Sequence, residues 1–197
     1  MILWALFFVS FLPLACFMET KEENERGSVI ENEVSGRLKM VDGSAVNQAK
    51  LYLFPKNLSL SVPTLVDSSD VNGNFSLKSP TDPGQWSLLV HKGGNWAFMD
   101  SLSIDNRLNL KLTLFPAQQL ELTVIGELQD SVRWDVLGTH FHGYRQDAQT
   151  FIFKELPLAD LRIQAMAKNT QNRYTSVSEV YNLKPKMGRY LKDTLVL

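Results

Sequence analysis

Short runs of alternating apolar residues, separated by turn formers, limit the possible folds of this sequence more than any other feature. Segments 34–41, 49–55 and 85–92 carry an apolar side chain at about every second position, which is typical of half-buried strands. About seven or eight such runs follow one another up to residue 115, at intervals of about 8 to 15 residues. No amphipathic helical segment of useful length competes with them. The spacing therefore predicts an all-β fold, an antiparallel β-sandwich or barrel.

The segment DVNGN, from Asp70 to Asn74, has the oxygen-rich composition of a calcium loop and also that of a turn. Its Asp, Asn and Gly residues tolerate the positive φ of tight hairpin turns, and the alternation resumes directly after it. An EF-hand loop needs glycine at its sixth position and glutamate at its twelfth. Counted from Asp70, Gly73 is fourth and Thr81 is twelfth. The segment is therefore predicted to be a structural turn.

Composition narrows the class of protein. The chain has 197 residues, of which 44% are hydrophobic and 21% are charged, so it is long enough for one domain or two small ones with real cores. The formal net charge of -1 argues against a nucleic-acid-binding protein, because such proteins cluster Lys and Arg against phosphates. Cys16 is the only cysteine, which excludes an intramolecular disulfide framework.

Residues 1–16 form an uncharged and almost wholly apolar run. At about 1.5 Å per residue this run is short for a hydrocarbon core of about 30 Å, and its length is typical of a secretory signal. The run ends in LPLAC, which resembles the lipobox of bacterial lipoproteins, with Ala15 at the small position. The resemblance implies acylation of Cys16 and, because Phe17 follows, an outer-membrane location on the periplasmic or surface face. A plain secretory signal, a retained anchor and a buried structural Cys16 are the alternatives.

An acidic segment follows at residues 17–33. Between Glu19 and Glu33 it contains six glutamates against two basic residues and little apolar material, so it is predicted to be a solvated tether. A flexible segment of this length reaches about 20 to 25 Å, enough to hold a domain just off a membrane. A short helix is the alternative.

Three stretches of the first half resemble the carboxypeptidase regulatory-like domain in their order and spacing. They are VSGRLKMVDGSAVNQAKLYLF, DVNGNFSL and PGQWSLLVHKGG, and the likeness extends over residues 34–115, with Trp86 where the family has tyrosine. The resemblance implies a transthyretin-like, Ig-like β-sandwich.

The second half repeats this layout of strand, turn, alternating apolar residues, proline and strand. Phe151 and Phe153 correspond to Phe75 and Leu77, and the segment FPAQQ at Pro116 interrupts two strand-like runs. Two related small β-domains in tandem are therefore predicted, with one larger sandwich as the alternative. The predicted organisation is a signal segment at 1–16, a tether at 17–33, a first β-domain at 34–115 and a second at 116–197.

The segment THFHGY contains the most site-like residues. In a strand His140 and His142 point to one face, so their imidazoles would share a metal ion if a neighbouring strand supplied a third ligand. Asp135, Asp147 and Glu155 lie in the same half of the chain, and the sequence does not show which of them comes close. Two histidines without a third partner are more typical of a half-exposed sheet surface, so they are weak metal candidates and no cofactor is predicted.

Catalytic signatures are not found in the sequence. The family resemblance suggests a check for the zinc carboxypeptidase pattern, a histidine followed three residues later by glutamate. Neither His91 nor the paired histidines show it. No zinc-protease helix motif, no nucleophile elbow and no glycine-rich phosphate loop occurs either. We therefore expect a protein that is not an enzyme.

Aromatic residues suggest a competing role in carbohydrate binding, since planar rings stack on sugars. Trp86 and Trp134 alternate in phase with neighbouring apolar residues and are predicted to lie in the core. Trp96 and Tyr144, next to turn glycines, are predicted to be exposed ligand-binding platforms.

The hypothesis from the sequence is thus a non-catalytic lipoprotein of the bacterial cell envelope, anchored to the membrane through Cys16. Its β-sandwich units would act as a structural or interaction module for a protein or glycan partner. A carbohydrate-binding accessory protein and, after it, a metal-dependent hydrolase are the alternatives; secretion is the alternative location.

Overall fold

The structure is a computed structural model that describes residues 33–57, 65–78, 85–103, 108–127, 131–184 and 190–196. These residues form fourteen β-strands and no helix, and hence no helix that is long and apolar enough to cross a membrane. The predicted signal segment with Cys16, and the tether up to residue 32, lie outside the described residues.

The strands divide into two consecutive sets of seven, which confirms the predicted all-β fold of two sandwich units. The first set comprises β1 (Glu33–Met40), β2 (Lys50–Pro55), β3 (Leu65–Ser68), β4 (Asn74–Lys78), β5 (Gln85–Lys92), β6 (Asn95–Ser103) and β7 (Leu108–Pro116). The second set comprises β8 (Gln118–Ile125), β9 (Val132–Val136), β10 (His142–Arg145), β11 (Thr150–Leu156), β12 (Leu161–Lys168), β13 (Tyr174–Leu183) and β14 (Tyr190–Val196). We call these sets the first and second sandwich.

The first sandwich is a seven-stranded sheet folded over its own core, in the order β3-β2-β5-β6-β7-β1-β4. Alternate residues of β1, β2, β4 and β5, such as Leu38, Leu53, Leu77 and Leu88, are buried in one core cluster. β6 and β7 pair at Trp96 and Phe115 and join the two layers of the sandwich, β3-β2-β5-β6 and β7-β1-β4. Period-two alternation thus places one face of each strand in the core, as the sequence predicts.

The second sandwich has the strand order β13-β12-β9-β10-β11-β8-β14 and repeats five of the six strand pairings of the first; among the described residues, no β13–β14 pairing corresponds to β6–β7. In the first, β1 pairs antiparallel with β4 and parallel with β7; in the second, β8 does the same with β11 and β14. The core of the second sandwich contains Trp134, Phe151 and Phe153. β10 differs from its counterpart β3 because it pairs with β11 as well as with β9. The chain passes from one sandwich to the other between Pro116 and Gln118, while the division into domains at this point stays a prediction.

The sequence predicts antiparallel sheets, but both observed sheets are mixed, because each contains one parallel pair, β1–β7 or β8–β14. Alternation shows which face a strand buries but carries no information about its direction. A parallel pair needs a long crossover connection, and the five strands between β1 and β7 supply it in the first sandwich, as those between β8 and β14 do in the second.

The DVNGN segment is a turn, as predicted. Oδ1 of Asp70 accepts hydrogen bonds from the backbone amides of Asn72 (2.9 Å) and Asn74 (2.7 Å), and the bond from the Asn74 amide is the main cause that lowers the pKa of Asp70. The turn is not a hairpin, however, because β3 pairs with β2 whereas β4 pairs with β1. It carries the chain from one layer of the sandwich to the other.

The second sandwich covers an outer face of the first. On β5, Leu88 and Val90 enter the first core, while Ser87 and Leu89 on the opposite face are buried as well. Leu89 belongs to an aromatic cluster on the first sandwich, and Phe141 of the second sandwich packs against this cluster. The aromatic cluster consists of Phe54, Leu89 and Trp96, packed against Tyr52, Phe98, Ala117 and Phe141. The two sandwiches therefore belong to one compact unit, Glu31–Leu197.

A polar clamp lies at the same junction. The guanidinium of Arg162, on β12, donates from Nε to Oδ2 of Asp100 (2.7 Å) and from Nη2 to Oδ1 of Asp100 (3.1 Å). Nη2 also donates to the backbone carbonyl of Lys56 (2.6 Å), and Ser87 Oγ donates to Asp100 Oδ1 (2.9 Å). A Cβ atom on Gly138, which has a φ of 73°, would lie 2.3 Å from Ser87 Oγ. A glycine is therefore required where the β9–β10 loop meets β5.

Candidate functional site

A cleft of about 330 Å³ lies on the second sandwich between β10, the loop before it and β11. Its polar side chains are His140, His142, Tyr144, Lys154 and Glu155, and its apolar walls are Phe141, Phe153 and Leu156. We refer to it as the cleft. It is next to the junction of the two sandwiches, because His140 also contacts the aromatic cluster.

Local backbone features of β10 and β11 build the cleft. A Cβ atom on Gly143 would lie 2.8 Å from the ring of Phe153, so only glycine lets β10 approach the core this closely. On β11 the pairing with β8 changes register between Phe153 and Leu156. This bulge leaves Lys154 and Glu155, two consecutive residues, exposed at the cleft. Bulges re-aim side chains in this way and are frequent beside functional sites.

The loop that carries His140 is held by its own hydrogen bonds. Thr139 is fully buried; its Oγ1 donates to the Val136 carbonyl (2.9 Å) and accepts from the Phe141 amide (3.0 Å). The Leu137 amide donates to the carbonyl of Arg162 (2.8 Å). These bonds fix the path of the loop between the first sandwich and the cleft.

Aromatic rings surround the imidazole of His140. Its centroid lies 4.4 Å from that of Phe141 and 6.0 Å from those of Phe54 and Trp96. His140 keeps part of its side chain exposed, but the rings remove enough water to disfavour the charged form. This desolvation lowers the pKa of His140; the nearby His142 and His91 lower it further, and Glu155 opposes them.

The ring of His91 is also crowded. It stacks on Trp96 at a centroid distance of 4.0 Å with an interplanar angle of 22°, and its Nε2 accepts a hydrogen bond from the Gly94 amide (3.4 Å). Desolvation is the main cause that lowers the pKa of His91.

Two more side chains of the cleft form a ring pair. His142 and Tyr144 lie on the same face of β10, with centroids 4.7 Å apart. Tyr144 is 54% exposed, and Nζ of Lys154 lies 5.6 Å from the centroid of its ring. Nδ1 of His142 is buried and has no hydrogen-bond partner within the described part of the chain.

The structure corrects the prediction for Trp96. Trp96 is only 5% exposed, because His91 stacks on it and Phe141 meets its ring edge-on at 4.9 Å. The neighbouring turn glycines suggested exposure, but the second sandwich covers this face. Trp96 is not among the described residues that line the cleft. Tyr144 is exposed as predicted, and Trp86 and Trp134, at 5% and 0% exposure, are in the cores as predicted.

The two candidate metal ligands, His140 and His142, do line the same cleft. His140 precedes β10 and is not within a strand. Within the described ranges, no group of three or more His, Cys, Asp or Glu side chains is arranged to hold a metal ion. Of the three carboxylates that the sequence left open, Glu155 lies at the cleft, Asp135 forms a buried ion pair with Arg133 (2.8 Å), and Asp147 accepts bonds from the amides of its own turn.

Sequence reasoning missed Lys154 as a residue of this site. One signal was available, since Lys154 and Glu155 interrupt the alternation of β11 with two polar residues in a row. A break of that kind in an otherwise regular strand is typical of a bulge.

A pH dependence of stability follows from the two crowded histidines. Their pKa values in the folded protein lie below the value of about 6.5 that the unfolded chain has. Below that pH the unfolded state takes up protons that the folded state does not, so the free energy of unfolding falls as the pH is lowered. We expect urea unfolding at pH 7, 6 and 5 to show this decline, with a smaller slope in His140→Gln. The stability contributed by carboxylates with lowered pKa, such as Asp70, is lost only as the pH falls below about 5. Equal slopes in both proteins would contradict the assignment to His140.

Comparisons with known proteins give no family. No protein-family model matches the chain, and no curated protein matches it either. The resemblance to the carboxypeptidase regulatory-like domain therefore stays a hypothesis.

Solved structures with some likeness to the chain do exist, each covering 83% of it. One is the Bacillus anthracis TIE protein, with 12% identity, 33% of that chain covered and a TM-score of 0.30. A second is BcpA, the major pilin subunit of Bacillus cereus, with 9% identity, 98% of that chain covered and a TM-score of 0.29. A third is the Streptococcal ancillary pilin, with 8% identity, 62% of that chain covered and a TM-score of 0.32. This chain thus spans about a third of the length of the first of them. The overlaps are partial, and the β-sandwich assignment stands on the strand pairings of the chain itself.

Proposed function

We propose that this chain is an exported, lipid-anchored and non-catalytic β-sandwich protein that presents the cleft to a partner in the cell envelope. Cys16 would carry the lipid, residues 17–32 would act as the tether, and the two sandwiches would form the part that meets the partner. The observation that carries the proposal is the burial of both faces of β5. This burial packs the second sandwich against the first, and the cleft lies next to their junction.

The junction supports a display role because it combines apolar and polar contacts. Phe54 and Leu89 are fully buried on the outer face of the first sandwich, and Arg162 adds hydrogen bonds that depend on direction. Contacts of both kinds hold a fixed orientation better than an exposed linker does. A ligand at the cleft would thus be held at a defined position relative to the whole body.

Membrane attachment is supported by the composition of the N-terminal segment. Residues 1–16 are apolar and end at the single cysteine, and an acidic stretch follows at once. One acyl chain binds a membrane only marginally, whereas several chains on one cysteine give stable attachment. The proposed location is the outer membrane, on its periplasmic or surface face.

Metabolic labelling with radioactive palmitate tests the anchor. We expect the wild-type protein to incorporate label and to sediment with membranes, and Cys16→Ala to lose both properties. Ser28→Ala, a change in the predicted tether, serves as the control and should label like the wild type. Equal labelling of wild type and Cys16→Ala would overturn the lipid-anchored part of the proposal.

A further inference from the structure

We propose that the cleft binds a neutral saccharide unit, with Tyr144 as the stacking platform and with Lys154, Glu155 and His142 as its hydrogen-bonding groups. This inference rests on the proposed function in taking the protein to be a non-catalytic binding module. It differs from the prediction made from the sequence because Trp96 has no part in it.

The size and the walls of the cleft suit one sugar ring. Its volume of about 330 Å³ is at the lower end of the range of about 300 to 1,000 Å³ for small-molecule sites. Tyr144 offers a half-exposed aromatic face at the cleft, and Phe141 and Phe153 line it with apolar surface. Sugar rings carry patches of C–H groups that pack on such surfaces while their hydroxyls reach polar neighbours.

The charges of the cleft favour a neutral ligand. Lys154 and Glu155 are consecutive in the bulge of β11 and both line the cleft, which therefore contains an ammonium and a carboxylate. An anion would be drawn to Lys154 and repelled by Glu155, and a cation would experience the reverse. A polyhydroxylated neutral molecule can accept from the ammonium and donate to the carboxylate at the same time.

One polar atom beside the cleft lacks a hydrogen-bond partner in the described part of the protein. Nδ1 of His142 is buried and lacks a hydrogen-bond partner within the described residues. Buried polar atoms are rarely left unpaired in native proteins, and those that are call for an explanation. A ligand hydroxyl, which can both donate and accept, would pair with Nδ1 in either tautomer of the imidazole.

The backbone beside the cleft is held in place before a sugar binds. Gly143 sets β10 close to Phe153, and the hydrogen bonds of Thr139 fix the loop of His140. Ordering of side chains is one of the costs of association. A cleft built on paired strands avoids part of that cost, which suits recognition of a small polar molecule.

Nuclear magnetic resonance of the three histidines provides the test. Full-length protein in a phosphocholine detergent, which carries no sugar, is titrated with glucose, galactose, mannose and N-acetylglucosamine and with disaccharides of each. The imidazole signals are assigned with single His→Gln variants. We expect at least one of these saccharides to shift the signals of His140 and His142 and to leave that of His91 unchanged.

Variants and charged sugars then test the assigned roles. Tyr144→Ala and Glu155→Gln should each weaken binding at least tenfold, whereas Tyr174→Ala, a tyrosine outside the cleft, should bind like the wild type. Glucuronate and glucosamine should bind at least tenfold more weakly than the neutral sugar. The proposal is overturned if none of the saccharides shifts these signals, if Tyr144→Ala binds as tightly as the wild type, or if a charged sugar binds best. Palmitate labelling is independent of these results, so the sugar site and the lipid anchor can fail separately.

Discussion

Replacing Trp134 by alanine should lower the free energy of unfolding by about 3 to 5 kcal/mol. Trp134 is completely buried in the second sandwich, where its ring lies edge-on to Phe151 at 6.4 Å and to Tyr181 at 5.7 Å. The truncation removes the largest fully buried side chain of the chain's described part and leaves a cavity between strands that cannot collapse freely. Urea denaturation followed by circular dichroism measures the loss.

Tyr144→Ala is the matched control for this substitution. It also removes an aromatic ring, but from an exposed position on β10, so its effect on stability should be within about 0.5 kcal/mol. A loss below about 1 kcal/mol for Trp134→Ala would mean that the second core does not depend on this side chain. The same experiment bears on the predicted domain division, because two domains with independent stability would give two transitions, only one of which moves.

The fold could be predicted from local pattern because the pattern reports on local burial. Leu38 and Leu77 alternate with polar neighbours, and both lie in the first core. The pattern failed where a strand is buried on both faces. In β5 the run Trp86 to Val90 was interpreted as one core face, whereas Ser87 and Leu89 are buried at the junction. The sequence of one strand does not show which other part of the protein covers its second face, because that depends on the tertiary structure.

The candidate site could be predicted only in part for a similar reason. His140 and His142 were singled out because residues two apart share a face, and both line the cleft. Trp96 was misassigned because exposure was inferred from neighbouring glycines, and the contact with Phe141 is distant in sequence. Lys154 meets Tyr144 only because β11 pairs with β10 in the observed register, and register is not visible in one strand alone.

Replacing Arg162 by alanine should destabilise the protein by about 3 kcal/mol, within the range for removing one partner of a buried charged pair. The side chains of Arg162 and Asp100 are 18% and 22% exposed, so the pair is screened by water only in part. Burial raises the pKa of Asp100, but the hydrogen bonds from Arg162 and Ser87 outweigh it and hold the pKa below its ordinary value. Without Arg162 the carboxylate would stay partly buried with its main partner lost, and the Lys56 carbonyl would lose a donor.

A double-mutant cycle separates the pair from its surroundings. Asp100→Ala should cost less than Arg162→Ala, because Arg162 keeps the bonds to Lys56 and Asn57. The double variant should recover about 1 to 2 kcal/mol relative to the sum of the single losses, since neither charge is then left unpaired. The stability of Arg162→Lys should lie between those of the wild type and Arg162→Ala, because an ammonium keeps the positive charge but cannot make two parallel hydrogen bonds to the carboxylate. If the single losses simply add, the two side chains do not interact, and the junction rests on the aromatic cluster alone.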